Sequence, residues 1–204
     1  MYKKLKGFLC LLGATLIFAV NPMSAGALTL SFIPTSQEVN LGNQASVDIR
    51  VSDLGTIIGA FDFSVNFNSA LLSLANLTFG NSLGDPSLEA IASPHDQGSG
   101  KVGIAEVSLL IDPVDLQSRQ NNSGFLLCTL TFDTIAAGSS QLLFDNIIFG
   151  DFYGDQISNI ISNSGTITVS GGSAPVPEPG TLFLLGTGLL GGVLFKRLKI
   201  TPKP

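Results

Sequence analysis

The sequence predicts an all-β domain, folded as an antiparallel sandwich of two sheets with eight or nine strands. Three observations support this class. Apolar and polar residues alternate with a period of two over much of residues 28–170, turns rich in Gly, Asn and Ser separate the runs, and no segment there sustains a period of 3.6. Strands with one apolar face bury it by packing two sheets together. About 143 residues are enough for one such core without disulfides.

Five alternating runs are predicted as strands. The apolar positions of each run share one face, as expected of a strand that covers a core on one side only. The runs are 28–32, 45–51, 61–67, 126–132 and 166–169. The inward phase of the fourth run includes Cys128, which we interpret as a small core residue because no partner for redox chemistry is indicated.

Three further apolar segments are predicted as less regular strands. They cover residues 71–79, 101–111 and 141–149. In the second segment, Val102 and Ile104 share one phase of the alternation. Val107 and Leu109 share the other phase, so a β-bulge near residues 105–106 would absorb the change.

The N-terminus is typical of a secretory signal peptide. Three lysines within the first six residues precede an apolar run over residues 8–20, and a small-residue triplet, Ala25-Gly26-Ala27, follows. We expect signal peptidase to cut after Ala27, with Ala25 as the alternative, so that residues 1–27 form a signal helix that is removed. A buried apolar helix is the competing interpretation of the same run.

Residues 181–204 are predicted to form a short transmembrane helix with a basic tail. The apolar run 181–195 would span about 22 Å as a helix, which is shorter than the hydrocarbon core of about 30 Å. Three basic residues would stop translocation at its end: Lys196, Arg197 and Lys199. This cluster predicts a cytoplasmic C-terminus and leaves residues 28–180 outside the membrane.

The linker before this helix, residues 171–180, contains Pro177, Glu178 and Pro179. This tripeptide, then a short glycine-containing apolar segment and a basic cluster, resembles a PEP-CTERM sorting signal. The resemblance implies processing by an exosortase near the tripeptide, and only a transient anchor in the inner membrane. It also implies delivery to the outer surface or extracellular matrix of a Gram-negative cell that makes exopolysaccharide. An ordinary membrane anchor is the alternative.

The order of segments between residues 28 and 170 carries a second resemblance. The segment 53–55 leads into the aromatic segment 58–68, residues 136–139 follow later, and a closing segment occupies 163–169. This order is similar to that of cohesins, which are nine-stranded jelly-roll sandwiches related to some carbohydrate-binding modules. The resemblance implies binding without catalysis, with a dockerin-like protein or exopolysaccharide as partner. It assigns no ligand-binding residues.

Composition argues against several functions. Residues 28–180 contain 15 acidic and 3 basic side chains, a formal charge of −12, which would repel the phosphates of nucleic acid. The single histidine, His95, lies in a loop by composition and leaves little room for a catalytic triad or a multi-histidine metal site. We therefore predict no catalytic residue, no metal and no cofactor.

Carboxylates offer two weaker hypotheses. Asp48 and Asp62 lie on the outward phases of their strands, and they could form a glycosidase pair if those strands were neighbours. Asp145, Asp151 and Asp155 have the oxygen ligands that calcium prefers, although their spacing matches no EF-hand loop. For both groups, charges that keep the surface soluble are the preferred interpretation.

Aromatic side chains that could stack on a sugar are scarce. The region between the two terminal segments contains no Trp, and Tyr153, Phe125 and Phe152 are its plausible outward aromatics. This scarcity favours a structural or protein-binding role over strong polysaccharide binding. A secreted hydrolase is the least favoured of the three classes.

Overall fold

A computed structural model describes residues 27–98, 100–120 and 123–171, together with Thr187. The predicted signal segment up to residue 26 and nearly all of the linker and sorting segment from residue 172 lie outside the described residues. Within the described ranges, none of the helical structure has the length and apolar character needed to cross a bilayer.

Eleven strands and one short helix make up the described chain. One sheet has the order β10-β1-β3-β8-β5 and is called sheet A. Its strands are β1 (Leu28–Ile33), β3 (Gln44–Ser52), β5 (Leu72–Phe79), β8 (Phe125–Thr134) and β10 (Ile160–Ser162). The other sheet has the order β2-β11-β9-β4-β7-β6 and is called sheet B. Its strands are β2 (Ser36–Asn40), β4 (Ile58–Asn66), β6 (Ala90–Gly98), β7 (Lys101–Ser108), β9 (Gly138–Asp151) and β11 (Gly165–Ser170).

The predicted two-sheet sandwich is confirmed, but its sheets are mixed rather than purely antiparallel. β1 pairs with β10 in parallel, and β2 pairs with β11 in parallel. The chain passes from sheet A to sheet B between β1 and β2, at residues 34–35. β2, β6 and β10 were not predicted, and they raise the strand number above the predicted eight or nine.

Two elements differ from the predictions made from composition. Residues 93–98 were expected to form a loop, yet they belong to β6, which pairs with β7 at the edge of sheet B. Pro94 is compatible with this position because an edge strand needs hydrogen bonds on one side only. His95 therefore lies on a strand. The connection between β7 and β8 contains helix α1 (Pro113–Arg119), which was not predicted because it is too short to show a helical period.

The predicted bulge in β7 is wrong. The pairing of β7 with β4 is regular from Lys101 to Val107. The inward phase set by Val102 and Ile104 continues to Glu106, whose side chain is buried, whereas Val107 faces outward. A bulge occurs instead in β9 near Asn146, which has a φ of 52°. It lets Phe144 and Phe149 both face the interior, although five positions separate them.

Aromatic side chains from both sheets fill the centre of the sandwich. The ring of Phe63 on β4 lies 5.6 Å from that of Phe144 and 6.4 Å from that of Phe149. Phe144 stacks in turn on Phe32 of sheet A at 4.1 Å, so the aromatic contacts link the two sheets. Cys128 is fully buried, as predicted. Phe125, one of the plausible outward aromatics in the sequence, is also in the core.

We predict that Phe63→Ala lowers the free energy of unfolding by about 3–5 kcal/mol, because it empties a fully buried aromatic site. Ser46→Ala, at an exposed position of β3, should change it by roughly 0.5 kcal/mol or less. Ser64 on β4 is not a suitable control. The alternation of apolar residues predicts that it faces outward, but only 2% of its surface is exposed. Urea melts of both variants measure the contrast, and similar losses would contradict the assigned core.

Candidate functional site

The outer surface of sheet B carries a cluster of exposed apolar side chains. Ile91 on β6, Val107 on β7 and Ile148 on β9 are 60%, 46% and 52% exposed. With Ala60 on β4 and Ala105 on β7 between them, they form what we call the apolar face. Single exposed apolar residues are common on proteins, but a contiguous group marks a surface suited to binding.

The strand register makes this face continuous. Val107 lies opposite Ile91 on one side and Ala60 on the other. In the next row across the sheet, Asp62 lies opposite both Ala105 and Ile148. Directly opposed residues on neighbouring strands have their Cβ atoms about 4.5–5.5 Å apart, so the side chains of each row are in reach of one another.

The centre of the apolar face is concave. A hollow of about 430 Å³ is lined by Ala60, Ala105 and Gly150, which are small residues that leave the sheet backbone close to the surface. Gly154 and Gln156, from the segment after β9, line the hollow as well. A partner could therefore insert an apolar side chain there and remove both surfaces from water.

The charges around the apolar face are predominantly negative. Asp62 is exposed within it, and Asp151 ends the strand that borders the hollow. Lys101 is already paired, because its Nζ lies 2.7 Å from Oδ2 of Asp145. This contact with Lys101 lowers the pKa of Asp145, so that carboxylate stays ionised at neutral pH. The remaining carboxylates favour a partner with basic groups around an apolar contact.

Glu106 lies directly behind the apolar face, on the inner side of β7. Its side chain is 1% exposed, and its Oε1 has no hydrogen-bond partner among the described residues. Burial raises the pKa of Glu106 from 4.5 to about 7. Burial also raises the pKa of Cys128 on the opposite sheet, and the charge of Glu106 adds to that effect. The sequence prediction missed this residue because it ended the inward phase before Glu106.

The carboxylates singled out in the sequence lie apart or cap turns in the structure. Asp48 lies on β3 in sheet A and Asp62 on β4 in sheet B, so their strands do not pair. Asp48 instead accepts a hydrogen bond from Thr129 Oγ1 at 2.7 Å. Asp151 Oδ1 accepts the backbone N–H groups of Tyr153 and Asp155, both at 2.9 Å, and so caps a turn. Among the described residues, no three His, Cys, Asp or Glu side chains are placed to hold a metal.

Aromatic side chains contribute little to the described surface. Tyr153 is largely exposed, and the half-buried Phe152 contacts it edge to face, with ring centroids 5.3 Å apart. Phe125 is in the core. The described residues thus offer one small aromatic pair rather than a flat strip for stacking on sugar rings.

Comparison with protein families supports the prediction for the C-terminus. The model of the PEP-CTERM protein-sorting motif matches residues 175–198. The chain carries a PEP-CTERM sorting motif. The matched region includes Pro177, Glu178 and Pro179 as well as Lys196 and Arg197, and it implies an exported protein with a C-terminal anchor.

Solved structures similar to this one are cohesins. The seventh type I cohesin of ScaB from Pseudobacteroides cellulosolvens has a TM-score of 0.59 and 19% identity, and the match covers 74% of this chain and 97% of that one. A cohesin from Clostridium acetobutylicum has a TM-score of 0.58 and 21% identity, and the match covers 74% of this chain and 95% of that one. A cohesin–dockerin complex from Clostridium thermocellum has a TM-score of 0.56 and 12% identity, and the match covers 72% of this chain and 95% of that one. These similarities show a cohesin-like fold. Curated protein sequences give no match.

We predict that Glu106→Gln removes a pH dependence of stability. The native pKa of about 7 exceeds the ordinary value of 4.5, so the native state holds its proton more tightly than the unfolded state. Glu106 should therefore destabilise the wild type progressively from about pH 4.5 to 7, by up to about 3 kcal/mol, with a plateau above.

The measurement is a series of urea melts of wild type and Glu106→Gln between pH 4.5 and 8.5. The difference between the two proteins is the informative quantity, because other carboxylates titrate equally in both. The variant should gain stability relative to the wild type as pH rises. A difference that stays constant with pH would contradict the assignment of a buried, titrating carboxyl group.

Proposed function

We propose that this is a non-enzymatic protein of the cell surface or extracellular matrix, whose cohesin-like domain binds a protein partner through the apolar face. The observation that carries the proposal is the placement of Ile91, Val107 and Ile148 around a concave surface. Interface centres are typically apolar and well packed, with charges at the rim that steer association. The apolar face and its surrounding carboxylates have that arrangement.

The proposed partner is a dockerin-like protein with an apolar contact surface and basic groups around it. The similar Clostridium thermocellum cohesin was solved in complex with a dockerin. The negative charge near the hollow, from Asp62 and Asp151, supports a partner of opposite charge. Binding to nucleic acid is disfavoured by the same negative charge.

Exopolysaccharide is the alternative ligand. Sugar-binding surfaces commonly use exposed aromatic rings, and here the aromatic pair of Phe152 and Tyr153 is the candidate. The larger exposed area of the apolar face is aliphatic, which favours a protein partner. Hydrolysis of a polysaccharide is less favoured still, because Asp48 and Asp62 belong to different sheets.

We also propose a maturation sequence for the whole chain. Residues 1–27 contain the signal peptide, residues 28–170 act as the binding domain, 171–180 as the linker and 181–204 as the transient inner-membrane anchor. Signal peptidase removes the first segment, and exosortase acts near the tripeptide in the linker. During this passage the domain is periplasmic, and it then reaches the outer surface or matrix.

The position of the first strand favours one of the two signal-peptidase sites. Leu28 begins β1, is buried, and donates its backbone N–H to the carbonyl of Asn159 at 3.0 Å. A cut after Ala27 would place a charged amino group at this nitrogen, whereas a cut after Ala25 would leave two residues before the strand. Burial of an α-amino charge is costly, so Ala25 becomes the preferred site.

We predict that Ile148→Asp weakens binding of the partner by about tenfold or more, because it puts a charge at the centre of a desolvated contact. Ile33→Asp is the matched control, because Ile33 is a similarly exposed isoleucine on sheet A. It should change affinity by about twofold or less. The partner is first identified by photo-crosslinking from positions 107 and 148 in producing cells, and affinity is then measured with the purified protein.

Crosslinks to a protein from positions 107 and 148, but not from position 33, would support the proposed face. Crosslinks to carbohydrate from position 153 alone would favour the exopolysaccharide alternative. If Ile148→Asp and Ile33→Asp bound the captured protein as well as the wild type does, the apolar face would not be the binding surface.

We predict two separable processing defects from changes in the tail. Replacing Pro177 and Pro179 by Ala should leave membrane insertion intact but block cleavage, since proline keeps this segment extended and outside the helix. Replacing Lys196, Arg197 and Lys199 by Ser should impair retention at the cytoplasmic face and release the chain with its tail attached.

Fractionation, immunoblotting and intact-mass measurement in an exosortase-positive host test both changes. Wild-type protein recovered from the medium should lack the signal peptide and most of residues 180–204. Normal cleavage of the alanine variant would remove the main support for exosortase processing and favour an ordinary membrane anchor.

A further inference from the structure

The hairpin of β6 and β7 contains both part of the apolar face and the buried Glu106. Ile91 and Val107 are opposed residues of this hairpin and face outward. Glu106 is the next residue along β7 and faces the core. β6 is the edge strand of sheet B and is bonded to β7 alone, so the hairpin is attached to the rest of the sheet through the β4–β7 ladder.

The surroundings of Glu106 provide no described cation to neutralise its carboxylate. Its opposed residues are Phe61 on β4 and Ala92 on β6, neither of which titrates. From sheet A, the thiol of Cys128 on β8 interacts with it electrostatically, and burial keeps that thiol neutral.

Charged groups on the adjoining elements are otherwise engaged or turned away. On β4, Asp62 faces solvent, and on β3, Asp48 is bonded to Thr129. Lys101, at the far end of β7, pairs with Asp145. Before β6, Glu89 pairs with Arg119 of α1 at 2.8 Å. An ionised Glu106 must therefore take up a proton, remain unpaired in the core, or move to water.

We propose that Glu106 is a proton-controlled switch for the β6–β7 hairpin: the neutral carboxyl group lets the hairpin pack on the core, and ionisation promotes its local opening. Local opening gives the carboxylate access to water while the rest of the sandwich stays folded. Such sub-global opening breaks one ladder, β4–β7, because β6 is the edge strand and is bonded to β7 alone. Opening separates Ile91 and Val107 from Ala60 and Ile148, so it dismantles the apolar face.

The consequence for binding rests on the proposed function of that face. A partner that contacts all four strands of the apolar face, β4, β6, β7 and β9, binds only when the hairpin is closed. Its apparent affinity is then reduced by the fraction of molecules in which the hairpin is open. The native pKa of Glu106, about 7, places this control in the neutral range of pH.

Hydrogen exchange of the full-length chain in detergent micelles tests the switch without any partner. Exchange is followed at pH 5.5 and pH 8, with labelling times scaled for the intrinsic pH dependence of amide exchange. In the wild type, protection of residues 90–108 should fall about 10- to 30-fold at the higher pH, as expected from a native pKa of about 7 and an open-state value near 4.5. Amides of β3 and β8 should keep their protection.

Glu106→Gln should remove the pH-dependent loss in residues 90–108, and Glu106→Met provides a second uncharged variant if the first folds poorly. Persistence of the loss in the uncharged variant would overturn the proposal. An equal loss across β3 and β8 would also overturn it, since that result indicates global unfolding. The exchange experiment contains no partner, so it tests the switch separately from the binding face. If the hairpin opens with rising pH but Ile148→Asp does not weaken partner binding, the proposed binding face is refuted and the switch is not.

Discussion

Packing of the β4 aromatic residues against β9, and through Phe144 against the opposite sheet, is the interaction on which the rest of the structure depends. Phe61 and Phe63 point inward, and their rings contact Phe149 and Phe144 on β9. Phe144 reaches Phe32 of sheet A. Because side chains alternate along a strand, this inward phase also directs Ala60 and Asp62 outward. The same strand register therefore determines both which side chains form the core of the sandwich and which form the apolar face.

The same register places a carboxyl group where core packing would favour an apolar side chain. Val102 and Ile104 set the inward phase of β7, and the regular ladder carries Glu106 into the core. A bulge would have turned this residue toward water, but it would also have turned Val107 away from the surface. The exposed Val107 and the buried Glu106 are therefore consequences of the same unbroken pairing. This coupling is why a proton on the inner side of β7 can influence the outer side.

Several features of the protein followed from the residues alone. Period-two alternation predicted the two-sheet sandwich and the buried Cys128, because one-sided burial imposes that period on any strand. The sorting motif was recognisable because its information is linear, with a tripeptide, an apolar run and a basic cluster in fixed order. Helix α1 was not predicted, since seven residues with one buried side chain, Leu116, contain too little periodicity. The edge strand β6 was obscured by Pro94 and by its polar composition.

The sequence by itself determined most of the strands, the phase that most of them bury, and the presence of a sorting motif, because these properties depend on local pattern. Tertiary structure alone decided which strands are neighbours. It separated Asp48 from Asp62, brought Ile91, Val107 and Ile148 onto one face, and enclosed Glu106. The physical reason is that pairing across a sandwich joins residues far apart in the chain, and a short stretch of sequence carries no information about partners at that distance.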